Sequence, residues 1–307
     1  NRGFVQDWSK SQVYSVQNGR GTRGFRSRLT GDWVSGPETL TDEELGANRR
    51  DFYTDCISHK LDTDEFWQSR MPDWSKVKTP FLSAANWGGQ GLHPRGNFEA
   101  FTRAAASQKW LEVHGIEHWT HFYTNYGLAL QKKFMGHFLK GEKTGWENMP
   151  KVLLQVRHPG EKFVERHENE WPLKRTQWTR YYLDLQKTPS SADGPRTGDL
   201  LPQSPTQSAS CTYPVLTKGS MGSSSAASSQ VMGGGIKPDM GISVWTPPMP
   251  EDTEITGPLA ATLWVSSSSE DMDIFITLRH YDEKGEEILE TGQQGSPVPV
   301  AKGWLRA

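Results

Sequence analysis

The sequence predicts an α/β domain built on a parallel sheet, followed by an all-β half. Two observations predict it: short apolar runs alternate with helical patterns over residues 77–141, and strand-like segments take over after about residue 150. A Trp-rich stretch with helix-start signals precedes both.

In that leading stretch, "TDEELGANRRDFYTDCISHKLDTDEFWQSR" carries start signals at Thr41 and Thr63, each followed by acidic residues. Short amphipathic helices fit better than strands. "VKTPFLSAANW" (77–87) then reads as a strand running into Gly88 and Gly89. "GNFEAFTRAAASQ" (96–108) has helical spacing at Phe98, Phe101 and Ala105. "KWLEVHG" (109–115) is a second strand, and "NYGLALQKKFMGHFLKG" (125–141) a helix stopped by Gly141. Strand, helix, strand, helix with short links implies parallel pairing, and chemistry in such sheets gathers beyond the carboxyl ends of the strands. Those ends are "NWGGQGLHPRG" and "HGIEHWTH".

Farther on, "KVLLQVR", "RTQWTRYYLDL", "LAATLWVSS" and "MDIFITLRHYD" look like strands separated by turns, which predicts a β-sandwich. The Ser/Gly/Pro-rich tract 187–236 lacks the apolar content to pack and reads as a flexible insert. "DMDIFITLR" brackets a strand with acidic residues, and a polar loop entering a strand explains it better than calcium does.

The totals exclude several classes of function. Among 307 residues, 34 basic and 36 acidic side chains nearly cancel, so no basic face points to nucleic acid. No apolar run of about 18 residues is present, so no membrane span is expected. The two cysteines, Cys56 and Cys211, read as free thiols and exclude a disulfide framework, a cysteine zinc site and an iron–sulfur cluster. No cofactor is expected. Thirteen tryptophans suit a large core or a substrate cleft. The chain starts at Asn1 without Met and stops straight after a strand-like run, so it reads as an internal piece of a longer protein.

The stretch "LEVHGIEHWTHFYTNYG" (111–127) concentrates the chemistry. His114, His118 and His121 are spaced as on one helical face, and zinc takes imidazole readily, with Glu117 available as a base. Against metal, the stretch follows a strand, contains Gly115 and lacks H-E-x-x-H. No metal ligands are assigned. A histidine acid/base on the loop after a late strand fits better, with nucleophile and acid upstream. His114, on the strand itself, reads as a half-buried structural residue. No G-x-S-x-G elbow lies upstream of His121, and "GSSSA" (222–226) falls in low-complexity sequence after the histidines.

The runs "DEFWQSRMPDWSKVKTPFLSAANWGGQGLHPRGNFEAF" and "KWLEVHGIEHWTHFYTNYGLALQKKFMGHFLKGEKTGW" resemble the later catalytic domain of the CocE/NonD hydrolases. That family comprises cocaine-esterase-like acyl esterases, α-amino-acid ester hydrolases and Xaa-Pro dipeptidyl-peptidases. "VLLQVRHPGEKFVERHENEWPLKRTQWTRYYLD", "PPMPEDTEITGPLAATLWVSSSSEDMDIFITLRHYDEKG" and "PVPVAKGWLRA" continue the resemblance into the family's C-terminal domain. It covers nearly the whole chain apart from 187–236.

The resemblance implies a partial α/β-hydrolase with a helical cap over 1–75 and the end of the hydrolase domain over 76–145. A jelly-roll, galactose-binding-like sandwich is implied over 150–307. It implies a serine hydrolase of acyl esters or amides, with a small-molecule ester or peptide substrate and self-association left open. The alternative is a weak or inactive hydrolase-fold binding or scaffold protein. The compartment stays open, with the cytoplasm weakly favoured. Trp119-Thr120-His121 matches the family's W-S-H, which implies His121 as catalytic general base, with His118 the alternative. The family acid, two residues after the tryptophan of the preceding turn, falls on Gly89, with Glu117 or Glu99 as substitutes. The serine is expected outside this chain, and the 307-residue piece alone is expected to be inactive.

Overall fold

Two β–α passes build the centre of the chain. The computed structural model describes residues 9–90, 93–117, 119–185, 197–212, 241–292, 295 and 297–306. Among these, residues up to Pro72 form one compact unit and residues from Asp73 onward a second.

In the first unit the expected helices form after residue 41, as α1 (Asp42–Ala47), α2 (Phe52–Ser58) and α3 (Glu65–Gln68). Thr41 caps α1 in a reciprocal capping box with Glu44, and α1 buries Leu45 completely. The third helix starts one residue later than Thr63 implies: Asp64 is its cap, and its carboxylate accepts the Phe66 N–H. Phe66 stacks on His59 at 4.1 Å and also meets the guanidinium of Arg70.

In the second unit β1 (Phe81–Asn86) and β2 (Lys109–His114) pair in parallel, Phe81 opposite Lys109 and Asn86 opposite His114. Helix α4 (Pro94–Arg103) links them, with proline at its first position, where the missing N–H costs nothing. It lays Phe98 and Phe101 on a core of Ala85, Leu111, Val113, Val152 and Leu154. After β2 come α5 (Thr120–Tyr123) and the 16-residue α6 (Asn125–Lys140). Thr124 caps α6, and Gly141 at φ 67° ends it in the left-handed conformation. Leu130, Phe134 and Phe138 of α6 pack with Trp110 and Trp146 in a second core cluster. Both faces of β2 are therefore covered.

Strands β3 (Val152–His158) and β4 (Lys162–Glu168) depart from expectation. Rather than opening the all-β half, they extend the same sheet, whose order is β1-β2-β3-β4. β3 runs parallel to β2, with Leu111 opposite Val152, and β4 returns antiparallel. The cause is burial: Val152 and Leu154 join the Leu111–Val113 core only if β3 docks on β2. Trp171, just beyond β4, stacks on Phe98 at 4.8 Å and closes the edge of this core.

The remaining strands form small sheets of two or three strands. β5 (Tyr182–Asp184), β6 (Gly198–Leu201) and β7 (Val244–Trp245) form a three-stranded mixed sheet. β8 (Asp273–Leu278) pairs with β11 (Ala301–Arg306), and β9 (Glu290–Thr291) with β10 (Pro297–Val298). Two expectations are corrected here. Residues 198–201, placed in the flexible insert, form a strand, because Gly198 can sit against the Asp184 carbonyl where a Cβ would come within 2.2 Å. "LAATLWVSS" is not a strand: no ladder partner meets it among the described residues, and Trp264 stands 94% exposed. Asp273 of the "DMDIF" run binds Arg306 through two hydrogen bonds. Cys56 and Cys211 are free thiols. Among the described residues, no helix is long and apolar enough to cross a membrane.

Candidate active site

Side chains of a strand alternate, so β2 sends Leu111 and Val113 to the α4 core and Trp110, Glu112 and His114 to the other face. Glu112 is 1% exposed and His114 5%. His114 donates from Nδ1 to Glu112 Oε2 at 2.8 Å. His121, on α5, stacks on His114 with ring centroids 4.3 Å apart and planes within 10°. Its Nε2 lies 3.9 Å from the other Glu112 oxygen, Oε1. Tyr126, in the first turn of α6, meets the His121 ring edge-on at 4.7 Å. The result is a buried polar knot of Glu112, His114, His121 and Tyr126 at the carboxyl end of β2.

The turn between β2 and α5 holds His121 in place. Ile116 adopts φ 53°, a conformation β-branched residues avoid. The Asn86 amide pins it, donating to the carbonyls of Gly115 at 2.8 Å and Ile116 at 2.7 Å. Gly115 donates to Gln155 Oε1, and Phe163 of β4 packs so tightly that a Cβ at 115 would lie 2.0 Å from its ring. Beyond the histidine, Thr124 donates to the His121 carbonyl at 2.7 Å while capping α6.

Burial sets the electrostatics. It pushes the Glu112 carboxyl above its usual range, against the pull of the His114 hydrogen bond. Burial, reinforced by His114, lowers His121 to about 4, which leaves it a neutral imidazole at physiological pH. Burial and the Glu112 charge push the Tyr126 phenol upward. Glu112 Oε1, His114 Nε2, His121 Nε2 and the Tyr126 hydroxyl are all buried without a hydrogen-bond partner. A neutral imidazole facing a buried carboxylate can accept a proton and share the resulting charge.

The structure distributes the sequence candidates unevenly. His121 lies in the knot, and His118 falls outside the described residues. Gly89 is buried in a short turn, Trp87–Gly89, with its Cβ position 3.5 Å from Asn86 Oδ1. Glu117 accepts from Thr120 Oγ1, and Glu99 pairs with Arg103 along α4. The carboxylate at His121 is Glu112, which the sequence reading missed. Its signal was legible: a lone Glu in an apolar strand, two residues before a histidine and so on the same face. His114 is likewise more than a strand end, since it bridges Glu112 and His121.

Residues 144–307 match the family described as the X-Pro dipeptidyl-peptidase C-terminal non-catalytic domain. No curated protein matches the chain. Among solved structures, the chain is similar to a CocE/NonD family hydrolase from Staphylococcus aureus in two crystal structures. One aligns at TM-score 0.64 and 26% identity, the other at 0.63 and 24%. Each alignment covers 89% of this chain but 42% of the solved one, so the chain spans less than half the length of these relatives. Across residues 144–307 the chain belongs to the X-Pro dipeptidyl-peptidase C-terminal domain family, within a CocE/NonD-like hydrolase fold.

Proposed function

We propose that this chain is the later part of a serine hydrolase of acyl esters or amides, with Xaa-Pro peptides among its candidate substrates. In this reading His121 is the general base and Glu112 the carboxylate that orients it. The observation that carries the reading is His121 Nε2 facing Glu112 Oε1 at 3.9 Å inside a buried site. Catalytic hydrogen bonds in unliganded enzymes are often long and tighten on the substrate complex. With Nε2 turned to Glu112, Nδ1 takes the proton from a serine supplied by the rest of the longer protein and returns it to the leaving group. Glu112 stabilises the imidazolium formed in between, and backbone N–H groups hold the oxyanion.

A second reading, a hydrolase-fold scaffold with little turnover, is favoured by Gly89, which leaves the family's acid position without a carboxylate. Labelling of the full-length protein by a fluorophosphonate probe separates the two. The hydrolase reading expects folded wild type to label and His121→Ala to label at background. Wild type that stays unlabelled supports the scaffold. The 307-residue chain alone is expected to cleave p-nitrophenyl acetate no faster than its own His121→Ala variant.

A further inference from the structure

We propose that the β9–β10 pair, in the non-catalytic C-terminal domain, positions His121: its segment from Glu290 to Gly292 backs the turns at the carboxyl ends of β1 and β2. The consequence for turnover rests on the hydrolase reading; the bracing of the turns does not. Among the described residues, β9 and β10 pair Glu290 with Val298 and Thr291 with Pro297, too little ladder to hold a shape by itself. Neighbours set its position. Arg157 of β3 places Nε 3.3 Å from Glu290 Oε2, and the two side chains are only 13% and 3% exposed. Glu161, in the turn between β3 and β4, accepts the Thr291 N–H through Oε1. At the other end, Gln90 donates from Nε2 to the carbonyls of Pro299 at 2.6 Å and Val300 at 2.7 Å.

Held from both ends, this pair meets the candidate site twice. Gly88, in the turn after β1, is wedged between two carbonyls: a Cβ there would lie 2.5 Å from the Thr291 oxygen and 2.7 Å from the Ile116 oxygen. Thr291 therefore backs Ile116 through the thickness of one glycine. Farther along, a Cβ at Gly295 would lie 3.2 Å from Glu117 Oε1, while Glu117 Oε2 accepts from Thr120, the neighbour of His121. Ile116 needs such backing. A β-branched residue at φ 53° persists only where its surroundings over-determine it. The Asn86 amide holds the Gly115 and Ile116 carbonyls, and Gly88 with Thr291 behind it limits where the Ile116 carbonyl can move. His121 follows five residues later, so a shift of this turn moves the base against Glu112. Removing one member of a buried ion pair leaves the other charge uncompensated. Loss of the Glu290 charge should therefore release β9, and with it the turn that carries His121. Glu290 is on this account a positioning residue, acting through Thr291 and Gly88.

The test is Glu290→Gln in the full-length protein, assayed on a p-nitrophenyl ester with active sites counted by fluorophosphonate labelling to completion. A residue that only stabilises the fold lowers the number of labelled sites and leaves kcat per site unchanged. A positioning residue lowers kcat per site, here by roughly 10–100-fold, since a misplacement of about 1 Å can cost about 100-fold. KM should stay within about twofold, because substrate binding is not what the brace supports. Trp264→Ala, an exposed change in the same half, should leave both constants at wild type. Histidine-ring NMR of the same proteins reads position without turnover. The His121 signal, identified by its loss in His121→Ala, should shift in Glu290→Gln, while that of His137, whose partner is Glu147, should stay. Where Glu290→Gln fails to fold, Glu290→Asp keeps the charge at a shorter reach and should move kcat per site and the His121 signal in the same direction. Wild-type kcat per site, or an unmoved His121 signal, overturns the brace. A wild-type protein with no turnover ends the hydrolase reading, and the His121 signal then decides the brace alone.

Discussion

The four-stranded sheet of residues 81–168 and the small sheets beyond it use similar residues to opposite effect. In the first, helices cover both faces of β2, and Trp146 is fully buried beside Trp110 and Phe134. In the second, Phe275, Ile276, Trp304 and Leu305 of β8 and β11 remain exposed, and so does Trp264. The difference shows that a strand-like pattern stabilises only where another element covers it. Under the fully covered sheet, burial also perturbs Glu112 and His121, which places the candidate site on that side.

Substitutions can break or sharpen this contrast, and the largest effect should come from the covered side. Trp146→Ala should cost about 3–5 kcal/mol in urea unfolding, as emptied aromatic sites do. A cost under 1 kcal/mol would mean the second core cluster is loosely packed. Gly115→Ala should cost about 1–3 kcal/mol, because the new Cβ meets the Phe163 ring at 2.0 Å. A neutral result there would show that β4 yields easily. On the other side, burial and Arg279 lower Lys302 on β11 to about 8. A folded value below the usual 10.5 means that the charged form is disfavoured in the fold. Its removal in Lys302→Met should therefore stabilise the chain by about 1–2 kcal/mol below pH 8. That gain should shrink as pH rises from 8 toward 10.5, where folded and unfolded chains both carry neutral lysine. Thermal melts across that range check it. Smallest of all, Trp264→Ala should shift stability by less than about 0.5 kcal/mol, since a 94% exposed ring has little to lose.

The same contrast decides what was legible from residues alone. β1, α4, β2 and α6 could be read because the apolar period of each element agrees with a covered neighbour. β3 looked like any strand, and only its docking on β2 shows which sheet owns it. "LAATLWVSS" has strand-forming residues but no ladder partner among the described residues, a fact of three dimensions. Within the site, His121 was readable through its motif, whereas Glu112 hid in an apolar strand. Its shared face with His114 followed from their spacing, but pairing it with His121 required knowing that this face of β2 meets α5 and α6 rather than α4. The turn after β1 carries no carboxylate at Gly89, and the carboxylate beside His121 comes from the neighbouring strand.

The most direct test of the central claim is the turnover of the full-length protein carrying Glu112→Gln, on a p-nitrophenyl ester at saturating substrate. An orienting carboxylate predicts a fall in kcat of roughly four orders of magnitude with the fold intact. Glu117→Gln and Glu99→Gln should stay within about twofold of wild type, since Glu117 bonds Thr120 and Glu99 pairs with Arg103. Wild-type kcat in Glu112→Gln, or its collapse in Glu117→Gln, would contradict the assignment.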